Sequence, residues 1–336
     1  MHNPSSDSAA RHGLWVLGSY IEAHCWFVAR RPQSDESQQA SSYVRECAGK
    51  GLAVALGAHR LGAPVDLLMA VGHDAAGDAA QHLLQQEGLA TDHVHRLGAY
   101  SGQGCGLVGA QDGSSVTIYP GANALLGAAQ LQQATACIQR AAVAYAQCEV
   151  PLPLVAQALE MALAAGATTV FNPSPWPEAG LRAGAGARAL AAAQVLVVNA
   201  HEAERLLASV AGWTAPVGGA EPLLQALPPS VLQTLWQCWP GHWLVITLGA
   251  KGCVAYGREQ ADGPLGRLPA HAVVVRQPIG AGDAFSAGLC TALVQGADMA
   301  QAIALGNACG ALAASQEGIL PALSQRAALA GLLAGT

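Results

Sequence analysis

The sequence predicts an α/β fold in which a mostly parallel central sheet carries helices on both faces and a small β-sheet forms a lid. The 336 residues are 52% apolar and only 11% charged, enough to bury a sizeable core. Short runs rich in Val, Ile and Leu alternate with helical patterns, which is typical of buried parallel strands joined by crossover helices. No long linker interrupts this order, so residues 1–336 are predicted to form one domain.

The elements follow from this alternation in chain order. Six short apolar runs predict central strands, at residues 14–17, 65–71, 142–146, 168–171, 195–198 and 243–247. Six longer amphipathic or apolar stretches predict helices, at residues 51–61, 75–86, 151–164, 200–208, 281–294 and 299–314.

Two stretches break the alternation and predict the lid. Residues 19–47 hold a polar loop between extended pieces, and residues 100–121 contain a hairpin that turns at Gln111-Asp112-Gly113. Strands without crossover helices are expected to form a separate small sheet over the main one. The alanine-rich residues 183–193 are not assigned, and residues 212–229 are read as a loop.

Composition narrows the partners to small molecules. The net charge is −6, with 16 basic against 22 acidic residues and no basic cluster, which argues against nucleic acid. No apolar run reaches the roughly 18 residues of a membrane span, and the first residues lack a signal-peptide pattern, so a cytoplasmic protein is expected. Nine scattered cysteines without a Cys-x-x-Cys pair predict reduced thiols in or near the core.

The strongest local signal is a glycine turn that runs into an apolar helix from Pro278 to Leu289. The amides of Gly280, Ala281 and Gly282 at the helix start predict an anion site, beside which Asp283 would lie. A carboxylate next to a phosphate cradle suits proton abstraction from a hydroxyl during phosphoryl transfer. The alternative is that Asp283 merely caps the helix.

At this point the chain resembles the ribokinase family of carbohydrate kinases, often called the PfkB family. The resemblance extends in register over nearly the whole chain, and the order of its motifs is more specific than any one of them. The matching segments are Ala48-Gly49-Lys50-Gly51, Leu61-Gly62-Ala63, Val71-Gly72-His73-Asp74 with Gly77, Gly121-Ala122-Asn123, Asn172-Pro173, Asn199 with Glu202, Thr247-Leu248-Gly249-Ala250-Lys251-Gly252, Gly280-Ala281-Gly282-Asp283 and Gly318.

The resemblance implies a ribokinase-like fold and an ATP-dependent enzyme that phosphorylates a primary hydroxyl of a small sugar or sugar-like acceptor. Asp283 would take the proton from the hydroxymethyl group, and the amides of Gly280, Ala281 and Gly282 would stabilise the transferring phosphoryl. A carboxylate at a helix N-terminus is expected to have a low pKa, so the proton should move late in the reaction.

For the nucleotide side, the resemblance assigns Asn199 and Glu202 to Mg²⁺, through waters, and to the phosphates of ATP. It assigns the nucleotide turn and adenine neighbourhood to Thr247, Gly249, Lys251, Gly252 and Asn307. By residue pattern alone, Glu202 is also compatible with an ordinary first-turn glutamate, and Asn307 with a polar interruption of an apolar helix.

For the acceptor side, Gly49, Lys50 and Gly51 match the turn that approaches the sugar, and Glu149 matches a glutamate that accepts sugar hydroxyls. A solvated loop acid remains the alternative for Glu149. Lys50 is one of only two lysines, which either marks a place where a guanidinium does not fit or reflects an arginine-biased composition. Asn123 is expected to support the lid or the substrate.

Several positions depart from the family pattern. Ile21, Ala23 and Ala53 stand where ribokinase carries polar sugar contacts, and each unpaired buried hydroxyl would cost about 1 to 3 kcal/mol, so ribose is a doubtful acceptor. Glu22 lies one residue off, on the opposite strand face. Gln277 replaces an aspartate that contributes to a cation site in potassium-activated members, which makes K⁺ activation doubtful.

Three other functions compete with a sugar kinase: a nucleoside kinase, a non-catalytic sensor and a dehydrogenase. A nucleoside kinase of the same family fits the same motifs, and a non-catalytic sugar or nucleotide sensor is disfavoured by the retained Asp283 and glycines. A Rossmann dehydrogenase is excluded because Gly-x-Gly-x-x-Gly does not follow the first strand. His93 and His95 could face one side of a strand, but no third metal ligand is placed near them. Similar proteins form dimers through their lids, so a homodimer is possible.

Overall fold

The computed structural model describes residues 11–109, 113–213, 227–259 and 266–333. In these ranges the chain forms the strands β1 (Leu14–Leu17), β2 (Ile21–Val28), β3 (Ser42–Ala48), β4 (Val65–Val71), β5 (Val94–Arg96), β6 (Gly102–Gly109), β7 (Gly113–Tyr119), β8 (Val143–Gln147), β9 (Thr168–Asn172), β10 (Val195–Asn199), β11 (Trp243–Thr247), β12 (Cys253–Gly257) and β13 (Gly266–Leu268).

The helices cover the two faces of the sheet and include short ones that the sequence did not indicate. They are α1 (Lys50–Arg60), α2 (Ala75–Glu87), α3 (Ala128–Gln133), α4 (Thr135–Arg140), α5 (Leu152–Ala164), α6 (Gly184–Ala192), α7 (Ala200–Ala211), α8 (Pro229–Cys238), α9 (Ala281–Val294), α10 (Met299–Ala314) and α11 (Arg326–Leu333). Short 3₁₀ turns occupy Gly121–Leu125 and Gly249–Lys251.

The central sheet has nine strands in the order β13-β12-β11-β10-β9-β8-β1-β4-β5. Every neighbouring pair from β11 to β5 is parallel, and only β12 and β13 run antiparallel at one edge. The predicted fold class is therefore confirmed, and all six predicted strands are present to within one residue at either end. The strands β5, β12 and β13 were not predicted. β5 and β13 have only three residues each and carry no apolar run, whereas β12 is a buried apolar run of five residues that was overlooked in the sequence.

The core lies in two layers, one on each face of this sheet. Successive residues of a strand point to opposite faces. Val16 accordingly joins the layer of α1 and α9 through Leu52 and Leu289. Trp15 joins the other layer, which includes Leu159 of α5. Because both faces are buried, the central strands read as unbroken apolar runs rather than as alternating patterns.

The lid is a separate four-stranded sheet in the order β3-β2-β6-β7. Its β2–β3 and β6–β7 pairs are antiparallel, and β2 pairs with β6 in parallel. The predicted hairpin is present as β6 and β7, with Gly109 opposite Gly113. Its predicted turn residues Gln111 and Asp112 lie outside the described residues.

The lid is joined to the main sheet through Asn123. This side chain is fully buried, and its Oδ1 accepts a hydrogen bond from the Tyr20 amide at 3.0 Å. Its Nδ2 donates to the carbonyls of Tyr20 at 2.7 Å and Pro120 at 2.9 Å. Tyr20 lies between β1 and β2, so Asn123 holds the point where the chain passes from the central sheet into the lid.

Two expectations, on the cysteines and on the loop at 212–229, have different outcomes, and one stretch left unassigned proves to be helical. All nine cysteines are free thiols, but Cys105 and Cys238 are exposed, so the core placement was wrong for these two. The alanine-rich stretch forms α6 because its small residues pack closely against α5. Most of the loop predicted at 212–229, residues 214–226, lies outside the described residues.

No described helix is long and apolar enough to cross a membrane.

We expect Asn123→Ala to lower the free energy of unfolding by about 2 to 3 kcal/mol, because the buried Tyr20 and Pro120 backbone groups lose their partners. Equilibrium urea denaturation measures this change. Gln132→Ala, at an exposed amide on α3, is the matched control and should change the stability by less than about 0.5 kcal/mol. A loss no larger than that of the control would show that Asn123 does not hold the lid.

Candidate active site

The predicted site residues lie along one edge of the central sheet, where the parallel strands end. Asn199 and Thr247 end β10 and β11 and are paired in register. Gln147 ends β8, and Glu149 follows two residues later. Carboxyl ends of parallel strands meet at a common edge, which is where open α/β sheets bind ligands.

Glu149, Lys50 and Ser19 form one buried hydrogen-bonded cluster at this edge. Glu149 is 7% exposed, and its Oε2 accepts from the Ser19 hydroxyl at 2.6 Å and from the Lys50 amide at 2.9 Å. The Gly51 amide donates to Ser19 Oγ at 3.3 Å. The structure therefore rejects the alternative of a solvated loop acid for Glu149.

The Lys50 side chain extends from this cluster to Asp283. The distance from Lys50 Nζ to Asp283 Oδ1 is 3.6 Å, and the two side chains are 27% and 13% exposed. Burial by itself lowers the pKa of Lys50, but the Asp283, Glu149 and Glu202 carboxylates outweigh it and raise the pKa. Lys50 therefore remains an ammonium. The scarcity of lysine in the sequence drew attention to Lys50, but nothing in the sequence pointed to Asp283 as its partner.

Glycine is required on both sides of Lys50. Gly49 has a φ of 120°, and a Cβ there would lie 2.3 Å from the Ser19 carbonyl oxygen. A Cβ on Gly51 would lie 2.3 Å from Gly18 Cα. These backbone contacts cannot shift cheaply, so only glycine lets α1 begin close enough for the Lys50 amide to reach Glu149.

The electrostatics of Asp283 differ from the sequence-based expectation. Burial raises the pKa of this carboxyl and the Glu202 charge adds to the effect, while Lys50 lowers it without offsetting the rise. The low pKa expected from the helix N-terminus alone was therefore wrong. A raised pKa makes the carboxylate a stronger base than an exposed aspartate.

The glycine turn before α9 is the segment for which the sequence predicts an anion site. Gly280 is the helix N-cap residue in a left-handed conformation with a φ of 88°. The Ala281 amide donates to the Pro278 carbonyl at 3.3 Å. Gly282 has no heavy atom within 4 Å of a built Cβ, so its backbone faces open space. First-turn amides have no intrahelical acceptors and attract negative charge.

Asn199 and Glu202 form a capping box at the start of α7. Asn199 Oδ1 accepts from the Glu202 amide at 2.9 Å, and Glu202 Oε2 accepts from the Asn199 amide at 3.0 Å. Glu202 is 5% exposed, and its charge acts on both Lys50 and Asp283. Its structural role as a first-turn helix residue is thus present, and its carboxylate also lies near the site.

The residues assigned to the nucleotide form a turn and a helix contact next to this capping box. Thr247 Oγ1 donates to the Val198 carbonyl at 3.3 Å. Gly252 has a φ of 89°, and a Cβ there would lie 1.9 Å from the Leu268 carbonyl oxygen. Asn307 Nδ2 donates to the Pro269 carbonyl at 2.6 Å, which ties α10 to the segment after β13. Gly249 and Lys251 lie in the 3₁₀ turn between β11 and β12.

A cavity of about 290 Å³ lies between this edge and the inner face of the lid. Lys50, Glu149, Gly280 and Asp283 form its polar end. The rest of its wall is mostly apolar or glycine, lined by Ile21, Ala23, Cys25, Ala48, Gly49, Gly104, Gly106, Val116, Ile118, Ser174, Pro175, Ile279 and Ile319.

Sequence reasoning identified the polar end of this cavity and missed much of its wall. Ile21 and Ala23 line the cavity as the departures from the family pattern suggested. Ala53 does not line it, because this residue of α1 is fully buried in the core. Val116, Ile118, Ile279 and Ile319 of the wall carried no signal, since each reads as an ordinary apolar residue until the lid and sheet come together. Ser19, which donates to Glu149, was missed as well.

Comparisons with known proteins agree with this architecture. The family model described as "pfkB family carbohydrate kinase" matches residues 12–326. Ribokinase from Haemophilus influenzae is 28% identical over 318 residues, which cover 94% of this chain and 96% of that protein.

Two solved structures share the fold. Ribokinase from Cryptococcus neoformans var. grubii serotype A in complex with ADP has a TM-score of 0.81 at 23% identity, covering 96% of this chain and 100% of that chain. Burkholderia thailandensis nucleoside kinase in complex with inosine has a TM-score of 0.73 at 21% identity, covering 96% of each chain. With a family model that spans nearly all of the sequence, this chain belongs to the pfkB family of carbohydrate kinases.

Proposed function

We propose that this protein transfers the γ-phosphoryl group of ATP to a primary hydroxyl of a small sugar-like acceptor that presents an apolar face. The observation that carries the proposal is the cluster of Asp283, Lys50 and Glu149 at the polar end of an otherwise apolar cavity, beside the glycine turn of α9.

The reaction follows from the positions of these groups. Asp283 accepts the proton of the hydroxymethyl group as its oxygen bonds to the γ-phosphorus, and the bond to the β,γ-bridging oxygen breaks to release ADP. The raised pKa of Asp283 favours this proton transfer. The amides of Gly280 and Gly282, and that of Ala281 once its 3.3 Å bond to the Pro278 carbonyl opens, stabilise charge on the transferring group. The Lys50 ammonium adds a positive charge 3.6 Å from the base.

The acceptor ring is positioned by Glu149. Its Oε2 is already engaged by Ser19 and Lys50, which fixes the orientation of the carboxylate. Its other oxygen can therefore accept from an acceptor hydroxyl without reorganisation.

The residues near α7 fit a water-mediated Mg²⁺ site. Asn199 Oδ1 and Glu202 Oε2 are committed to the capping box, so Glu202 offers one remaining oxygen. The described residues contain no group of three His, Cys, Asp or Glu side chains that could hold a metal directly. Mg²⁺ commonly keeps several waters and binds through one carboxylate and the phosphates, and would neutralise phosphate charge there.

Potassium activation is not expected. Gln277, the residue before the glycine turn, is neutral, and its Oε1 accepts from the Gly318 amide at 2.9 Å. Its amide group therefore takes the place of a carboxylate that would attract a cation.

The apolar wall favours a nucleoside or deoxygenated sugar over ribose. Ile21 and Ala23 offer no hydrogen bond to ring hydroxyls, and Gly104 and Gly106 leave room for Ile21 and Cys25 to lie over β6. A hydroxyl buried against this wall would lose its hydrogen bonds to water without replacing them. An apolar face of the acceptor, by contrast, is stabilised when it leaves water and packs against the wall. Inosine is the ligand named for the nucleoside kinase of the same fold.

Asp283→Asn should lower kcat at least about 10²-fold, because the general base is lost while ATP can still bind. Steady-state ADP release and ATP binding measure the two effects. The control is Asp66→Asn, at an ion-paired aspartate near the amino end of β4, whereas the site lies at the carboxyl ends of the strands. This variant should keep kcat within about twofold of the parent protein. Near-normal turnover of Asp283→Asn would contradict the assignment.

Glu202→Gln should raise the Mg²⁺ concentration for half-maximal rate by about fivefold, with a smaller effect on the KM for the acceptor. Glutamine at this position preserves the capping box and removes only the charge. The control is Glu204→Gln, two residues on in the same helix. If the Mg²⁺ dependence does not change, Glu202 acts only as a helix cap.

The preferred acceptor in a panel of ribose, 2-deoxyribose and inosine should be inosine or the deoxysugar, judged by kcat/KM. Ile21→Asn should lower kcat/KM for that acceptor about tenfold, or about 1.4 kcal/mol, and reduce its advantage over ribose. Leu163→Asn, on the exposed side of α5, controls for loss of an apolar side chain. Ribose as the best acceptor, unaffected by Ile21→Asn, would refute the apolar-face proposal and leave the kinase chemistry standing.

A further inference from the structure

The inner face of the lid carries one carboxylate that the proposed chemistry does not use. Glu46 on β3 is paired in register with Ala23 on β2, and paired residues share a sheet face. Ala23 lines the cavity, so Glu46 lies on the cavity side of the lid. Within the four lid strands as described, it is the one acidic residue on this face, since Glu22 falls on the other.

The Glu46 carboxylate reaches from the lid to the main domain. Its Oε2 accepts a hydrogen bond from the Ile319 amide at 2.8 Å, across 273 positions of the chain. Burial raises the pKa of this carboxyl, and the Ile319 amide only partly opposes the rise. A carboxylate in an apolar wall costs free energy, so its presence there calls for a role beyond packing.

The turn that Glu46 contacts also contacts the anion site. The Gly318 amide donates to Gln277 Oε1 at 2.9 Å, and Gln277 precedes the turn that leads to Gly280. Ile319 packs against Gly280 itself, since a Cβ built on Gly280 would lie 3.1 Å from Ile319 Cγ2. Residues 318 and 319 therefore contact the lid through Glu46 and the start of α9 through Gln277 and Gly280.

Two polar atoms at this turn are left without partners among the described residues. Glu46 Oε1 and Gln277 Nε2 are both buried and make no hydrogen bond. One is an acceptor and the other a donor, and they belong to the side chains that hold two successive amides. Unsatisfied buried groups lower stability, so a contact retained despite them serves function more than stability.

We propose that Glu46 is a positioning residue that couples closure of the lid to the geometry of the anion site. The inference rests on the proposed kinase function. When the lid covers the acceptor, Glu46 holds the Ile319 amide and Ile319 supports Gly280. When the lid lifts, the bond is lost and the glycine turn loses this support. Phosphoryl transfer is thereby restricted to the covered site, from which water is excluded.

The test compares Glu46→Ala and Glu46→Gln by the ratio of ADP released to acceptor phosphorylated. Glu46→Ala removes the acceptor of the Ile319 hydrogen bond, so the ratio should rise at least about threefold as ATP is lost to water, and kcat should fall. Glutamine retains an oxygen for the Ile319 amide, so Glu46→Gln should return the ratio to within about twofold of the parent protein. Glu36→Ala, at a partly exposed glutamate that is ion-paired with Arg30 in the loop between β2 and β3, is the control.

Hydrogen exchange at the Ile319 amide, measured without substrates, tests the contact independently of turnover. Exchange should be faster in Glu46→Ala than in the parent protein and in Glu36→Ala. Faster exchange with an unchanged product ratio overturns the coupling, and unchanged exchange overturns the contact itself. The coupling is also refuted if the ratio of ADP released to acceptor phosphorylated is as high in Glu46→Gln as in Glu46→Ala. A parent protein that phosphorylates no acceptor refutes the proposed function, while the exchange measurement still decides the contact.

Discussion

The site depends on how closely the start of α1 approaches the turn after β1. Gly49 and Gly51 lie against Ser19 and Gly18 at distances that admit no side chain. Only at this separation can Glu149 accept from both the Lys50 amide and the Ser19 hydroxyl. That pair of bonds fixes the first residue of the helix, and the Lys50 ammonium then extends to Asp283 on α9. A glycine contact between backbones thus brings together the start of α1, the end of β8 and the start of α9.

The same contact explains the balance of charge at the site. Asp283, Glu149 and Glu202 act on a single ammonium in a place where water is largely excluded, so the interactions between these charges are stronger than at a surface. Burial raises the pKa values of Asp283 and Glu149, and the charges of these carboxylates keep Lys50 protonated. A site of net negative charge is suited to Mg²⁺ and to positioned amides, both of which bring positive potential to the phosphates of a nucleotide.

The polar and apolar parts of the cavity wall come from different parts of the molecule. The edge of the central sheet carries the charged and hydrogen-bonding groups, whereas the lid contributes an apolar surface of Ile21, Ala23, Val116 and Ile118. Under the proposed function, substitutions on the lid can therefore change the acceptor preference without disturbing the groups proposed for phosphoryl transfer. Glu46 is the exception on this surface, and its bond to Ile319 connects the two parts.

The sequence by itself determined the fold class, the positions of six central strands along the chain and the glycine-flanked residues Lys50 and Asp283 of the site, whereas Glu149 was identified only through the family resemblance. Those features depend on local patterns: apolar runs, helix periodicity, and glycines next to Asp283 and Lys50. It did not give the raised pKa of Asp283, the core position of Ala53 or the wall residues Val116 and Ile319, and it offered no reason to single out Glu46. These depend on burial and on contacts between segments hundreds of residues apart, which only the assembled lid and sheet create, because desolvation and proximity are properties of the packed structure rather than of neighbouring residues in the chain.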